Sequence, residues 1–522
     1  MIFLKVFHLL APSLCLGEPT AKELIMSAER AELRAFLRDW ARGGEIETHA
    51  AWIYLGETTA LKLKRPVRYA YLDFTEPETR WKMLARELDL NQAAAHQIYR
   101  DLVPITFKDG RFFIDGPGEV VEWALRMWRF PAEAALDQIA ARDAFDLGLA
   151  DALGHAISGL HAKNQVIETD GAALMADVLD GFVQEFNHLR SRGLDLPAGS
   201  VTEAARVELQ GVAPLLTARS QTGFVRRCHG DLHMRNIVVL EGRPVPFDAL
   251  EFSESLATCD VLYDLAFLLM DMQQANLSVQ ANRVLNAYFE LEPCDEALKG
   301  LASLPLFLSL RALVRAVVSA DLATGGGAPE AVQQTDRYLD FSAQALHRQK
   351  PVLYVVAGLS GTGKTTLARE LAPQLSGPCG ALLLRSDIER KRMEGVSPTT
   401  RLPESAYAKE RSEAVYDKLF RQAERVLATG TSVILDAVFA RPEERKAAEA
   451  VAQSSGVAFR GLWLDAPEAL RGTRVEAREG DASDATRKVV LEQSRRNTGP
   501  INWERWETDL APPLLAARIL GG

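Results

Sequence analysis

Apolar positions change their period along this chain, and the changes predict its elements. Over Ser27 to Arg42 the residues Leu33, Phe36, Leu37 and Trp40 recur at helical spacing. Two short extended runs follow, Ala51-Trp52-Ile53-Tyr54-Leu55 and Thr59-Ala60-Leu61-Lys62-Leu63-Lys64. Pro77 to Ala95 is helical again. Ile105-Thr106-Phe107 and Arg111-Phe112-Phe113-Ile114 flank Asp109-Gly110, a hairpin signal, and Glu119 to Met127 reads as a further strand. The order is strand, strand, helix, then three strands. From Asp137 to His347 the pattern is mainly helical. It is broken by a polar loop at His229–Asn236, followed by the apolar run Ile237-Val238-Val239-Leu240. Gly325-Gly326-Gly327-Ala328-Pro329 is a loop, and the last helix runs out near His347-Arg348-Gln349-Lys350, where a domain boundary is expected. Beyond it the pattern alternates as an open parallel sheet with helices would. Strands are expected at Val352–Val356, Leu382–Leu384, Val433–Asp436 and Phe459–Leu464, and helices at Thr366–Leu375 and Ser405–Ala428. No stretch after the leader is expected to supply the roughly 18 apolar residues of a membrane-crossing helix.

Composition narrows the classes. The chain has 522 residues, room for about three domains of ordinary size, and its apolar content of 47% allows sizeable cores. A net charge of −10 disfavours a general nucleic-acid binder. That charge is uneven: from Pro351 onward the net is +2, so the preceding part carries −12. The more basic end is the easier place to hold a phosphorylated substrate. The five cysteines (Cys15, Cys228, Cys259, Cys294, Cys379) are odd in number and form no C-x-x-C. They point to a reducing, cytosolic compartment without structural zinc. Met1 to Gly17 is apolar with one lysine, like a short signal peptide, yet Leu14 before Cys15 makes a poor lipoprotein cleavage site. Residues 1–26 are expected to be an unstructured or wrongly assigned leader, with Met26 as the start.

Candidate chemistry sits in two places. His229-Gly230-Asp231-Leu232-His233-Met234-Arg235-Asn236 reads H-x-D-x-x-x-x-N, the spacing of a kinase catalytic loop. An Asp must meet the hydroxyl that attacks a γ-phosphate, and an Asn must reach the Mg²⁺ on that phosphate. A second metal-binding acid should follow a short hairpin. Asp248, after the turn at Glu241-Gly242-Arg243, supplies it. Ala60-Leu61-Lys62 matches the A-x-K of a phosphate-binding lysine strand. Lys62 and Lys64 share one strand face, so the choice stays open, with Lys62 favoured and Glu87 as its partner. Arg126 to Phe130 would be the hinge where adenine stacks. Asp260 could cap its helix and Asp264 could brace the loop. Arg311 and Arg315, one turn apart, could reach a substrate anion but read more simply as surface residues.

The second place is Gly358-Leu359-Ser360-Gly361-Thr362-Gly363-Lys364-Thr365, a G-x-x-x-x-G-K-T P-loop between a strand and a helix that begins at Thr366. Its glycines let backbone N–H groups wrap phosphates, Lys364 reaches the β- and γ-phosphates, and the Thr365 hydroxyl binds Mg²⁺. Asp387 and Asp436 end strands, where ligands of such sheets sit, and Asp436 holds the Walker B position. Arg471, Arg474 and Arg478 share one helical face.

Residues 45–340 resemble the aminoglycoside phosphotransferase family, which has a kinase-like fold. The resemblance rests on His229-Gly230-Asp231-x-His233-x-x-Asn236, Asp248, and Asp260 to Ala266. It implies Asp231 as catalytic base and Asn236 and Asp248 as Mg²⁺ ligands. No G-x-G-x-x-G, D-F-G or A-P-E is present, which argues against a protein kinase. Residues 350–515 resemble the small P-loop kinases, a group with polynucleotide 5′-kinases, gluconate kinases and zeta-toxin-like enzymes. There the Asp of Asp387-Ile388-Glu389-Arg390 would activate the acceptor hydroxyl and Arg390 would hold the substrate. Arg474 and Arg478 look like lid arginines that neutralise the transferring phosphoryl group. The expected architecture is an α+β bilobal kinase-like domain over 27–345 (lobes about 45–130 and 137–345), then an α/β P-loop domain with an open parallel sheet over 350–522. The expected protein is a cytoplasmic phosphotransferase with two ATP·Mg²⁺ sites, acting on small-molecule or nucleotide hydroxyls and on no membrane. Its rivals are a regulator in which one domain gates the other, and a nucleic-acid 5′-end kinase hinted at by Trp503 and Trp506 near Arg495-Arg496.

Overall fold

The computed structural model describes residues 21–48, 50–69, 72–291, 294–324, 329–477 and 482–521. They fold into two compact units. One takes the chain up to Leu149 with Gly159–Asp271 and Leu306–Leu346; the other takes Ala150–Ser158, Met272–Pro305 and the chain from His347 on.

The first unit has two lobes. Its small lobe is an antiparallel sheet in the order Glu45–Glu47, Ala51–Leu55, Thr59–Lys64, Glu119–Trp128, Tyr99–Lys108, Arg111–Ile114. Strand parity positions the chemistry. Leu61 and Leu63 of Thr59–Lys64 face the helix Ala21–Trp40 and pack with Leu33, Leu37 and Ala41. Ala60 faces the other way and packs with Leu84 of the helix Pro77–Ala95. Lys62 and Lys64 share the parity of Ala60, so burying two leucines on one face delivers both lysines to the helix on the other. Two strands differ from expectation. Glu45–Glu47 is a short edge strand with little apolar signal. Tyr99–Lys108 starts well before Ile105, because Arg100 bulges out of the pairing between Tyr99 and Asp101 and breaks the alternation. Asp101 there pairs with Arg126 across the sheet at 2.5 and 2.7 Å, a polar contact that a hydrophobic pattern does not register. The first described helix, Ala21–Trp40, includes residues ahead of Ser27.

In the large lobe the polar loop at 229–236 lies between two small antiparallel pairs. Val225–Arg227 pairs with Thr258–Asp260, and Ile237–Leu240 pairs with Arg243–Pro246. Asp260 accepts from Leu262 N at 2.9 Å, the expected cap, and also forms a buried two-point ion pair with Arg219 at 2.7 and 2.8 Å. One expectation fails: residues 295–323 are long and apolar enough to cross a membrane. Some 78% of that window is buried inside the protein, which is how a core helix satisfies the same test.

The second unit is α/β, with a five-stranded parallel sheet in the order Leu382–Arg385, Val433–Asp436, Val352–Ala357, Ala458–Asp465, Glu504–Glu507. The last strand, Glu-Arg-Trp-Glu, went unread because it is charged and lies at an edge. At the opposite edge the open side of Leu382–Arg385 is covered by the helix Ser278–Leu291 of the same unit. Asn282 Nδ2 donates to the carbonyls of Cys379 (2.7 Å) and Ala381 (3.0 Å). Asn286 Oδ1 accepts from Leu383 N (2.7 Å) and its Nδ2 donates to Ala381 (3.2 Å). Two side-chain amides thus stand in for a neighbouring strand. Asn282→Ala should destabilise this unit by about 1–3 kcal/mol, because a buried carbonyl loses its donor. Denaturant unfolding of the full chain measures it; an unshifted transition would mean that water replaces the amide.

Candidate active sites

In the first unit the side chains of the lysine strand, the helix Pro77–Ala95 and the loops 229–236 and 247–251 converge. Glu87 is fully buried and bridges the lysines: Lys62 Nζ to Oε1 and Lys64 Nζ to Oε2, both 2.6 Å. The lysines then part. Lys62 goes on to Asp248 Oδ1 at 2.7 Å, and Lys64, 2% exposed, to Glu251 Oε1 at 2.5 Å. Of the pair left open by the sequence, Lys62 is the one beside the metal-type acid. Both ammonium groups are held charged: burial works against them, and the surrounding carboxylates more than offset it.

Asp248 adopts φ +61°, a left-handed conformation that Asp tolerates better than most residues. The peptides around it are pinned. Tyr99 Oη meets Asp248 N at 3.1 Å, Asn91 Oδ1 meets Ala249 N at 2.9 Å, and His229 Nε2 lies 2.9 Å from Phe247 O. Asn236 donates through Nδ2 to the backbone oxygen (3.0 Å) and Oδ2 (3.1 Å) of Asp231, which leaves its amide oxygen for a cation. That oxygen and the second oxygen of Asp248 are hard donors of the kind Mg²⁺ takes, so the residues fit the ion. Burial pushes the Asp231 carboxyl up, but His233, with Nε2 3.4 Å from Oδ2, and the charges of His229 and Arg311 hold it well below the ordinary range. Asp231 is thus an unprotonated carboxylate at neutral pH. Asp264, fully buried, braces this loop as expected. It accepts from the amides of His229 (3.1 Å) and Gly230 (2.9 Å) and meets His161 Nε2 at 3.1 Å. Phe130, at the expected hinge, packs edge-on against Phe247 at 5.3 Å.

Arg311 corrects a reading. It is buried, not on the surface: Nε donates to Tyr263 O at 3.0 Å and Nη1 to Gly230 O at 3.3 Å.

In the second unit the P-loop runs from the strand Val352–Ala357 into the helix Lys364–Leu371. Its path requires glycine. Gly358 and Gly361 have φ +138° and +86°, and a Cβ on either would come within 2.5 Å of a carbonyl, Leu464 O and Arg471 O respectively. Gly363, φ +90°, caps the helix. Thr365 Oγ1 donates to Asp436 Oδ2 at 2.6 Å, the arrangement in which a hydroxyl and an acid can share a hard cation. Lys364 Nζ donates to Leu359 O at 3.2 Å. Ser360 N is taken by Gln493 Oε1 (2.7 Å) and the Thr362 hydroxyl by Leu359 O (2.9 Å), so these two residues shape the loop from inside; Thr366 is exposed.

Asp387 opens the helix Ser386–Met393. Burial raises its carboxyl above the ordinary range; Arg385 opposes that shift and Asp436 adds to it. Arg390 is buried, with Nη1 donating to Ala406 O at 2.7 Å and its guanidinium 4.7 Å from the centre of the Tyr407 ring. The charges of Asp387 and Arg390 both act on the Tyr407 hydroxyl, which donates to Asp484 at 2.7 Å. Arg474 donates to Thr508 Oγ1 (2.9 Å) and O (2.8 Å), and its Nη1 would lie 3.8 Å from a Cβ on Gly363, so it borders the P-loop. Arg471 is instead a packing residue, with Nη2 on Ser494 Oγ at 2.6 Å. Arg478 lies outside the described residues. Trp503 is buried, with Nε1 on Glu449 at 2.6 Å, and the half-buried Trp506 packs against the sheet core.

Sequence reasoning missed Glu251, Tyr99, Asn91, Arg385 and Gln493. Only Arg385 carried a usable signal: two residues before Asp387 at a strand end, it sits 3.6 Å from Asp436 Oδ2.

Residues 353–500 match the family described as AAA domain. The uncharacterized protein Rv2004c of Mycobacterium tuberculosis (strain ATCC 25618 / H37Rv) is 28% identical over 463 residues, 86% of this chain and 89% of its own length. The uncharacterized protein Mb2027c of Mycobacterium bovis gives the same figures. An alignment of that length is too long for either half alone, so both relatives share the pairing of the two halves. Among solved structures, a choline/ethanolamine kinase family protein from Mesorhizobium loti is similar at 15% identity, covering 61% of this chain and 98% of its own, with a TM-score of 0.38. A gluconokinase from Sinorhizobium meliloti 1021 is similar at 16% identity, covering 34% and 92%, with a TM-score of 0.24.

Proposed function

We propose that the chain is an ATP-dependent phosphotransferase with two ATP·Mg²⁺ sites, each passing a γ-phosphoryl group to a hydroxyl. One observation carries this reading: each unit sets a phosphate-binding lysine and oxygen ligands for Mg²⁺ beside a carboxylate at the acceptor side, Asp231 in one and Asp387 in the other. In the first unit Lys62, oriented by Glu87, grips the phosphates, and Asn236 and Asp248 would hold the ion. In the second, the P-loop amides with Lys364 cradle the phosphates, Thr365 and Asp436 would hold the ion, and Arg474 borders the transferring group. The bound Mg²⁺ supplies charge neutralisation on the triphosphate. Asp231 or Asp387 takes the proton of the acceptor hydroxyl. Its oxygen forms the new bond to the γ-phosphorus, the bond from that phosphorus to the bridging oxygen breaks, and ADP leaves.

The acceptor of the P-loop site is a hydroxyl compound with an anionic group, such as a nucleotide, a sugar acid or a nucleic-acid end, held by Arg390. A gating role for either unit finds no support in a broken residue set, and the burial of Trp503 weakens the hint of a nucleic-acid groove. An enzyme consuming ATP works where ATP is, so we place it in the cytoplasm.

Acceptor-dependent ADP release by the full-length protein tests the P-loop half in an Asp231→Asn background. Asp387→Asn should lower kcat with ATP affinity intact, and Lys364→Ala should abolish nucleotide binding at that site. Because burial raises the Asp387 carboxyl, the rate should climb with pH through a range above that of an ordinary carboxylate, since the base acts when deprotonated. Unchanged kcat in Asp387→Asn removes this residue from the mechanism.

A further inference from the structure

Arg311 and Arg315 lie one turn apart on the helix Leu304–Thr324 but end differently. Arg311 is engaged with the backbone of Tyr263 and Gly230. Arg315 hydrogen-bonds the Tyr338 side chain and lies among the charges of Asp271, Asp231 and His233, while its Nε is buried without a hydrogen-bond partner among the described residues. His233 Nδ1 is buried in the same condition, while its Nε2 lies 3.4 Å from Asp231. A buried nitrogen without a partner costs about 1–3 kcal/mol, so Arg315 Nε, joined by Nδ1 of the protonated His233 ring, is a standing demand for acceptor atoms beside the Asp231 carboxylate. Asp271 already accepts from Met234 N at 3.0 Å, and Asp231 must receive the substrate proton. A cationic alcohol would thus meet a guanidinium where it needs a carboxylate.

We propose that Arg315 and His233 form an anion subsite, and that the acceptor of the first unit carries a phosphate or carboxylate group next to the hydroxyl that Asp231 deprotonates. This rests on the phosphotransferase reading of that unit. It adds the substrate class: an anionic alcohol rather than an amino alcohol.

The test uses the full-length protein with Lys364→Ala, so that ADP reports on the first unit, and three matched probes: glycerol 3-phosphate, glycerol and 3-aminopropane-1,2-diol. Glycerol 3-phosphate should give the highest kcat/KM, by about tenfold or more. Arg315→Gln should raise its KM by about tenfold, or 1.4 kcal/mol, with kcat and the KM for ATP nearly unchanged, and Arg315→Lys should restore part of the loss. Calorimetric binding of glycerol 3-phosphate should weaken in parallel. The proposal is overturned if the aminodiol is the equal or better substrate. It is also overturned if Arg315→Gln lowers kcat with KM unmoved, the mark of a purely structural residue, or if glycerol 3-phosphate neither binds nor stimulates. Stimulated ADP release that survives Asp231→Asn would instead remove Asp231 as the base of the proposed phosphotransfer, while calorimetry would still judge the subsite.

Discussion

Asp231→Asn, made in the full-length chain alongside Lys364→Ala, should lower acceptor-dependent ADP release by about 10²–10⁴-fold and leave ATP affinity close to its starting value. The geometry explains the separation. Asp231 is hydrogen-bonded to neither Lys62 nor Glu87, the pair proposed to grip phosphate; its side-chain partners are His233 and Asn236. An amide keeps the shape and can still meet Asn236, but it cannot take a proton. The same substitution also removes the charge that His233 faces, so the imidazole should lose affinity for its proton. Nuclear magnetic resonance titration of His233 would register that shift even where turnover is too slow to follow. A variant that keeps its turnover excludes Asp231 as the base. A variant that loses ATP binding as well would place Asp231 on the nucleotide, not the acceptor.

Glu87→Gln should be the most damaging single change to the first unit's stability, about 3–5 kcal/mol, because it leaves two buried ammonium groups without their shared counter-charge. Two substitutions divide the effect. Lys64→Met removes a cation hydrogen-bonded to Glu87 and Glu251 and not to Asp248, so in the Glu87→Gln background it should recover part of the stability and little of the ATP affinity. Lys62→Met should do the reverse, since Lys62 is the lysine beside Asp248. Denaturant unfolding followed through the small-lobe tryptophans, together with nucleotide titration, reads both. Equal effects of the two lysines on ATP affinity would mean that Lys62 is not the phosphate ligand.

Both sites were legible where the chemistry is written in consecutive residues. His229–Asn236 and Gly358–Thr365 each place their groups through a local turn, so spacing alone specifies them. What spacing cannot specify is a partner brought in from elsewhere. Glu251, Asn91 and Tyr99 reach the first site from a loop, a helix and a strand, and only packing joins them. Strand order was legible where apolar residues alternate and failed where ion pairs or edges decide, as at Asp101–Arg126 and Glu504–Glu507. Arg311 was misread although a clue was present: Leu304–Thr324 is apolar on nearly every face, and a helix of that kind is largely buried, as Arg311 is.

The amides of Asn282 and Asn286 have a practical consequence for anyone cutting this gene. The match to the AAA domain family begins at residue 353, and a fragment started near there leaves the helix Ser278–Leu291 behind. Its outer strand, Leu-Leu-Leu-Arg, would then offer bare backbone groups to the next molecule, a template for intermolecular pairing. Such a fragment should come out of expression as aggregate even though every nucleotide-binding residue is on it. Supplying residues 272–305 in trans, as a separate chain, should rescue its solubility.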